Sequence, residues 1–220
     1  MERPRVLVTR RWPAEVEHAL QQRFEVTLNA TDHAMGAAEL ARAIDEYDVL
    51  CPTVSDAIDA DVIGDGGRVR LIANYGVGFD HIDLAAATAR GIAVTNTPGV
   101  LTDATADIAL TLLLMAARRA GEGERELRDG RWSGWGPTHM VGSALKGKVL
   151  GLVGMGRIAV ATARRAHHGF GMKIAYYGRR EALPDVVREL DARFHPELND
   201  LLARPTSFRC TSRAARRRTA

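Results

Sequence analysis

The stretch Val149–Ala159, VLGLVGMGRIA, restricts what this chain can fold into more than any other part of it. The apolar run from Val149 to Val153 reads as a buried parallel strand. It runs into Gly154-Met155-Gly156, and a helical pattern begins at Arg157. Strand, tight glycine turn and helix, in that order, are the context in which a glycine-rich fingerprint binds a dinucleotide. Gly154 allows the sharp turn, and Gly156 lets the backbone come close to a pyrophosphate. The unpaired N–H groups and the dipole at the start of the helix favour the anion. The expected cofactor contacts here are Gly154, Met155, Gly156, Arg157 and Ile158. Residue 159 is alanine where a third glycine is usual, a variant that still allows the helix to pack on the strand.

The residue pattern after this loop bears on the choice of cofactor. Lys173–Tyr177 reads as the next strand, and its end lies where an acid would hold the ribose 2′-hydroxyl of NAD. The sequence there is Tyr177-Gly178-Arg179-Arg180. No carboxylate is present to repel a 2′-phosphate, and two guanidinium groups can pair with one. Arg179 and Arg180 therefore point to NADP, with NAD as the alternative; otherwise they are two solvated arginines at a strand end.

The first hundred residues alternate short strands and helices. Strands are expected at Arg5–Thr9, Glu25–Leu28, Val49–Pro52, Leu71–Asn74 and Ile92–Thr95. Helices are expected from Pro13 to about Arg23, over Ala37–Tyr47, and briefly at Asp59–Ile63. That pattern implies a parallel α/β sheet covered on both faces. Leu101–Gly121 reads as one long, largely buried helix, capped by Thr102 or Asp103 and ended by Gly121. A charged, exposed helix should follow over Glu122–Gly130. The loop Arg131–Pro137 carries Trp132 and Trp135, which are expected to pin it to the core.

Composition excludes several classes. An apolar fraction of 46% supports a packed core. The apolar run Ile108–Ala117 is well short of the ~20 residues of a membrane-spanning helix, and the short run at Val6–Val8 does not resemble a signal peptide. Cys51 and Cys210 are too few for a disulfide framework and fit a cytoplasmic protein. The formal charge is +3, but residues 205–220 contain five arginines and no acid. The rest of the chain is therefore mildly acidic and gives no support to nucleic-acid binding. The seven histidines are scattered with no metal-ligand spacing.

Four segments together resemble the D-isomer-specific 2-hydroxyacid dehydrogenases, and most nearly their glyoxylate and hydroxypyruvate reductases. They are Asn74–Asp83 (NYGVGFDHID), Val94–Val100 (VTNTPGV), Thr102–Asp107 (TDATAD) with the Leu-rich helix after it, and Gly147–Ile158 (GKVLGLVGMGRI). The resemblance covers roughly residues 3–204. It implies an α/β protein of two doubly wound domains, one flavodoxin-like and one Rossmann-like, with the active site between them. On this reading 1–98 is the substrate domain, 99–121 an interdomain helix, and 122–204 an incomplete dinucleotide-binding domain. Residues 205–220 would be a non-homologous, disordered basic tail.

The resemblance also assigns roles. The backbone of Val77 and Gly78 should hold a substrate carboxylate; taken alone, Tyr75–Asp80 is equally an ordinary βα turn with glycines at positive φ. Thr105 should face the nicotinamide. Asp83 is expected to cap a helix, and Asn96-Thr97-Pro98 to shape a hinge. The activity implied is NAD(P)H-dependent reduction of a small 2-oxo acid by a homodimer. The family's catalytic arginine, glutamate and histidine have no counterparts before Arg204, so no catalytic residue is assigned. The chain is expected to be C-terminally truncated and inactive as written. The alternatives are a non-catalytic dinucleotide-binding fragment and a corepressor-like regulator. No metal and no membrane partner are expected.

Overall fold

A computed structural model describes residues 2–203 and the backbone of 207–211. The chain falls into two compact units, Met1–Val100 and Leu101–Ala220. The first contains β1 (Arg5–Val8), α1 (Ala14–Gln21), β2 (Glu25–Leu28), α2 (Ala37–Glu46), β3 (Val49–Cys51), α3 (Ala60–Ile63), β4 (Leu71–Ala73), α4 (Leu84–Ala89) and β5 (Ala93–Thr95). Its sheet has the order β2-β1-β3-β4-β5, every neighbouring pair parallel. That is the flavodoxin-like order.

The two-residue period of a strand divides this unit's core. Leu7, Leu50 and Ile72 point to one face, where they pack with Leu40, Ile44 and Ile63. Val6, Val8 and Cys51 point to the other, against Trp12, Leu20 and Phe24. Burial pushes the Cys51 thiol up to about 11, so it stays protonated and acts as a small apolar group. Asp83 caps α4 by accepting from the Ala86 N–H at 2.9 Å.

The second unit contains α5 (Thr102–Arg118), α6 (Ala120–Arg128), β6 (Val149–Val153) and α7 (Arg157–Arg164), whose end continues as a π-helical turn, Arg165–Gly169. Then come β7 (Lys173–Tyr177), α8 (Pro184–Leu190), β8 (Arg193–His195), α9 (Leu198–Leu202) and β9 (Ser207–Thr211). The strands are parallel in the order β8-β7-β6-β9. Relabelled from β6, this is 3-2-1-4, the opening order of a Rossmann sheet. Leu150, Leu152, Ile174 and Tyr176 form its buried face, with Ala159, Ala163 and Ala166 beneath.

Five expectations are corrected. The long helix does not run to Gly121. It stops at Arg118, and Arg119 takes a left-handed conformation (φ 56°, ψ 32°) before α6 begins. Arg119 is held there by an ion pair to Glu122 at 2.7 Å. Neither Thr102 nor Asp103 caps α5, whose N-cap position is Leu101. Nor is α5 largely buried. Leu110, Leu113 and Leu114 pack on the core, whereas Ile108, Leu112 and Met115 are exposed.

The tryptophans do not pin their loop to the core. Trp135 is 87% exposed and Trp132 53% exposed, because the loop packs on α6, which itself buries no residue. The two rings border a shallow cavity of about 400 Å³ with Leu127 and Met140. Finally, the expected disordered tail does not describe Ser207–Thr211. These residues pair with β6 from Val149↔Ser207 to Val153↔Thr211. The open side of β6 supplies backbone partners whatever side chains the incoming segment carries. The rest of the tail lies outside the described residues.

Candidate active site

Two loops, one in each unit, carry the residues expected to bind anions. In the first unit, β4 ends at Ala73 and the chain enters the loop Asn74–Gly78. Asn74 is 2% exposed, and its side-chain amide donates to the Gly76 carbonyl at 3.2 Å and the Gly78 carbonyl at 2.8 Å. Both amide protons being spent, Asn74 Oδ1 faces His81 Nε2 at 3.1 Å as an acceptor. That geometry assigns the proton on His81 to Nε2. From β5's end, Asn96 donates to the Val77 carbonyl at 2.9 Å. Thr97 N–H donates to the Gly76 carbonyl at 3.0 Å.

The carbonyls of Gly76, Val77 and Gly78 are thus all occupied. The N–H groups of Val77 and Gly78 meet no acceptor among the described residues. Two half-buried donors with no protein partner suit a carboxylate. Neither Gly76 nor Gly78 has positive φ, so these glycines are not there for a left-handed turn. Gly76 is instead required by close approach: a Cβ there would stand 2.6 Å from Val54 Cγ1. Tyr75 is half exposed and lies against Trp12, the ring centroids 5.0 Å apart.

In the second unit, Gly154 has φ 97° and turns the chain sharply after β6, its N–H bonded to the Tyr177 carbonyl at 2.7 Å. Gly156 precedes α7 in extended conformation, and a Cβ built on it would meet nothing within 4 Å. The first N–H groups of α7 have no intrahelical carbonyl to meet. The space in front of them opens into a cleft of about 510 Å³. Its walls include Met155, Gly156 and Arg157 at the loop, Thr102 and Asp103 of α5, and Leu183, which precedes α8. Arg165 fixes α5 against α7 through Asp103 at 2.9 Å and Asp107 at 2.7 Å. These carboxylates hold the guanidinium even more firmly charged than usual.

The expected residues are brought together in part. Gly154–Ile158 form the turn and first turn of α7, as the pattern implies. Arg179 and Arg180 lie just past β7, exposed and without an ion pair or hydrogen bond among the described residues. Thr105 is exposed on α5 and does not line the cleft, which Thr102 and Asp103 reach instead. Sequence reasoning did not single out Asn74, which the structure places at the centre of this loop's hydrogen bonds. Its one signal was an amide side chain directly before a glycine loop, a position from which it can bond nearby backbone. Among the described residues no group of His, Cys, Asp and Glu could hold a metal ion. No helix is long and apolar enough to cross a membrane.

Comparison with known proteins decides the family. Residues 6–219 match the family model for the D-isomer specific 2-hydroxyacid dehydrogenase catalytic domain. The chain belongs to the D-isomer specific 2-hydroxyacid dehydrogenases. Within that family it is 44% identical over 204 residues to a glyoxylate reductase of Thermococcus kodakarensis, covering 91% of this chain and 60% of the relative. It is 44% identical over 197 residues to a glyoxylate reductase of Korarchaeum cryptofilum, covering 88% and 58%. The chain therefore spans about three fifths of the length of these curated relatives.

Solved structures of 2-hydroxyacid dehydrogenases superimpose well on it. One, assigned as a D-isomer specific 2-hydroxyacid dehydrogenase, NAD-binding, from Polaromonas sp. JS6 66, has a TM-score of 0.81 at 40% identity, covering 90% of this chain and 62% of its own. The holo form of Rhodotorula graminis D-mandelate dehydrogenase has a TM-score of 0.79 at 30% identity, covering 99% and 67%. Ala159 is buried at 5% exposure in the core where α7 packs over β6, so alanine is accommodated at the third glycine position.

Proposed function

We propose that this chain supplies the substrate-carboxylate site and the dinucleotide loop of a reductase of small 2-oxo acids such as glyoxylate or hydroxypyruvate. The observation that carries the reading is the pair of unspent N–H groups at Val77 and Gly78, in a chain that also has an open glycine loop at Gly154–Gly156. The first suits a carboxylate and the second a pyrophosphate, the two anionic handles of the reactants. The glyoxylate reductases at 44% identity support this substrate class.

Gly154, Met155, Gly156, Arg157 and Ile158 would hold the cofactor's pyrophosphate; of the α5 residues it is Thr102 and Asp103, and not Thr105, that reach this cleft. The fit rests on the free space at Gly156 and the turn at Gly154. Bound there, a reduced nicotinamide dinucleotide supplies hydride to the substrate's keto carbon. Arg179 and Arg180, without a partner among the described residues, favour NADP over NAD. The residues of this chain bind and orient. Asp103 is held by Arg165, and His81 directs its Nε2 proton to Asn74, so neither is free to protonate an alkoxide.

The assay is oxidation of NADPH on addition of glyoxylate. The chain alone is expected to bind NADPH without turnover. Fusion to the C-terminal part of a glyoxylate reductase relative is expected to give turnover. A folded fusion that binds NADPH yet reduces neither glyoxylate nor hydroxypyruvate contradicts the reading.

A further inference from the structure

The proposed carboxylate site raises the question of what keeps its two N–H groups aimed outward. Glycine conformation does not, since neither Gly76 nor Gly78 has positive φ. The answer lies in the planarity of the peptide group. In a trans peptide the carbonyl of one residue and the N–H of the next point in opposite directions. Whatever grips the Gly76 carbonyl therefore sets the direction of the Val77 N–H. Whatever grips the Val77 carbonyl sets that of Gly78. The Gly76 carbonyl is gripped by the Asn74 side chain at 3.2 Å and by Thr97 N–H at 3.0 Å. The Val77 carbonyl is gripped by Asn96 at 2.9 Å.

We infer that Asn74 and Asn96 are the positioning residues of the carboxylate site: their side-chain amides pull the loop carbonyls inward and so present the Val77 and Gly78 N–H groups to the substrate. This rests on the reading of those two N–H groups as the carboxylate site. Asn74 is almost fully buried and makes a second bond, to the Gly78 carbonyl at 2.8 Å. It can do both only if its amide is not flipped. In that orientation its Oδ1 faces His81 Nε2 at 3.1 Å, a contact that matches an imidazole proton on Nε2. Asn96 reaches Val77 across 19 residues of sequence from the end of the neighbouring strand, tying the loop to β5. Neither residue need touch substrate. An aspartate at either place would keep the shape and lose the donors, turning a carbonyl clamp into a repulsion.

The test uses the full chain labelled with ¹⁵N and titrated with glycolate, a small 2-hydroxy acid that cannot be further reduced here. Glycolamide, which lacks the charge, is the control. In the unchanged chain glycolate, and not glycolamide, is expected to shift the Val77 and Gly78 amide signals. Asn96→Ala is expected to weaken glycolate roughly fivefold, the scale of one neutral hydrogen bond, while amide signals away from the loop stay in place. Asn74→Ala, which frees the Gly78 carbonyl and leaves the Gly76 carbonyl to Thr97 N–H alone, is expected to weaken it by a similar factor. Asn96→Gln, which keeps a donor, is expected to recover part of the loss. If Asn74→Ala does not fold, Asn96→Ala decides, since its side chain is only half buried.

Two results overturn the inference, and they differ. If glycolate leaves Val77 and Gly78 unmoved in the unchanged chain, the carboxylate site itself fails. If glycolate binds there and Asn96→Ala and Asn74→Ala bind it as tightly as the unchanged chain, the site stands and the positioning role fails.

Discussion

Val54 Cγ1 stands 2.6 Å from the place a β-carbon on Gly76 would occupy. The loop after β3 therefore lies directly on the loop after β4, and the parallel bridge Thr53↔Tyr75 holds them side by side. Buried Asp56 anchors the first of these loops, accepting from Thr9 Oγ1 and from Thr53 N–H, each at 2.7 Å. Gly76→Ala is expected to destabilise the chain by about 1–3 kcal/mol, the usual range for overpacking. Val54→Ala should remove most of that cost. Urea unfolding of the two single variants and the double variant measures the coupling. Additive effects would mean the contact does not constrain position 76.

Arg179 and Arg180 have no ion pair or hydrogen bond among the described residues, so their removal should cost little stability. The double change to alanine is expected to weaken NADPH binding about ten- to hundredfold, the scale of lost charge-assisted contacts. NADH binding should hardly change. Calorimetric titration with each cofactor separates the outcomes, and equal losses for both would remove the 2′-phosphate role.

Ile108, Leu112 and Met115 lie three or four residues apart on α5, each more than 40% exposed. A helix apolar on both faces needs a second partner, and family resemblance suggests another copy of this chain. Ile108→Asp with Leu112→Asp is expected to shift the protein to monomer in sedimentation at micromolar concentration. An unchanged sedimentation coefficient would place any self-association elsewhere.

Much of the architecture was legible because it follows from local rules. Strand segments such as Arg5–Val8 and Val149–Val153 announce themselves by apolar β-branched runs between helical patterns, and the Gly154–Gly156 turn by its glycines. The break at Arg119 was not legible. The glycines that usually signal a helix end, Gly121 and Gly123, fall inside α6, and a non-glycine residue takes the left-handed position. β9 was missed because its composition offers little to bury, whereas its pairing uses backbone groups alone. The exposure of Trp132 and Trp135 depends on what α6 covers, which no local pattern states. At the proposed carboxylate site, Val77 and Gly78 were expected from resemblance. The grip of Asn96 on Val77 depends on strand order, which brings β5 beside β4.

The central claim is that the loop Gly154–Ile158 binds a dinucleotide through its pyrophosphate. Calorimetric titration of the chain with NADPH, beside a Gly156→Val variant, tests it most directly. The open space at Gly156 should admit a valine without disturbing the fold and leave no room for the pyrophosphate. Saturable binding to the unchanged chain, lost in a Gly156→Val variant of unaltered thermal stability, is the result expected. Failure of the folded, unchanged chain to bind NADPH or NADH, or equal binding by the valine variant, would contradict it.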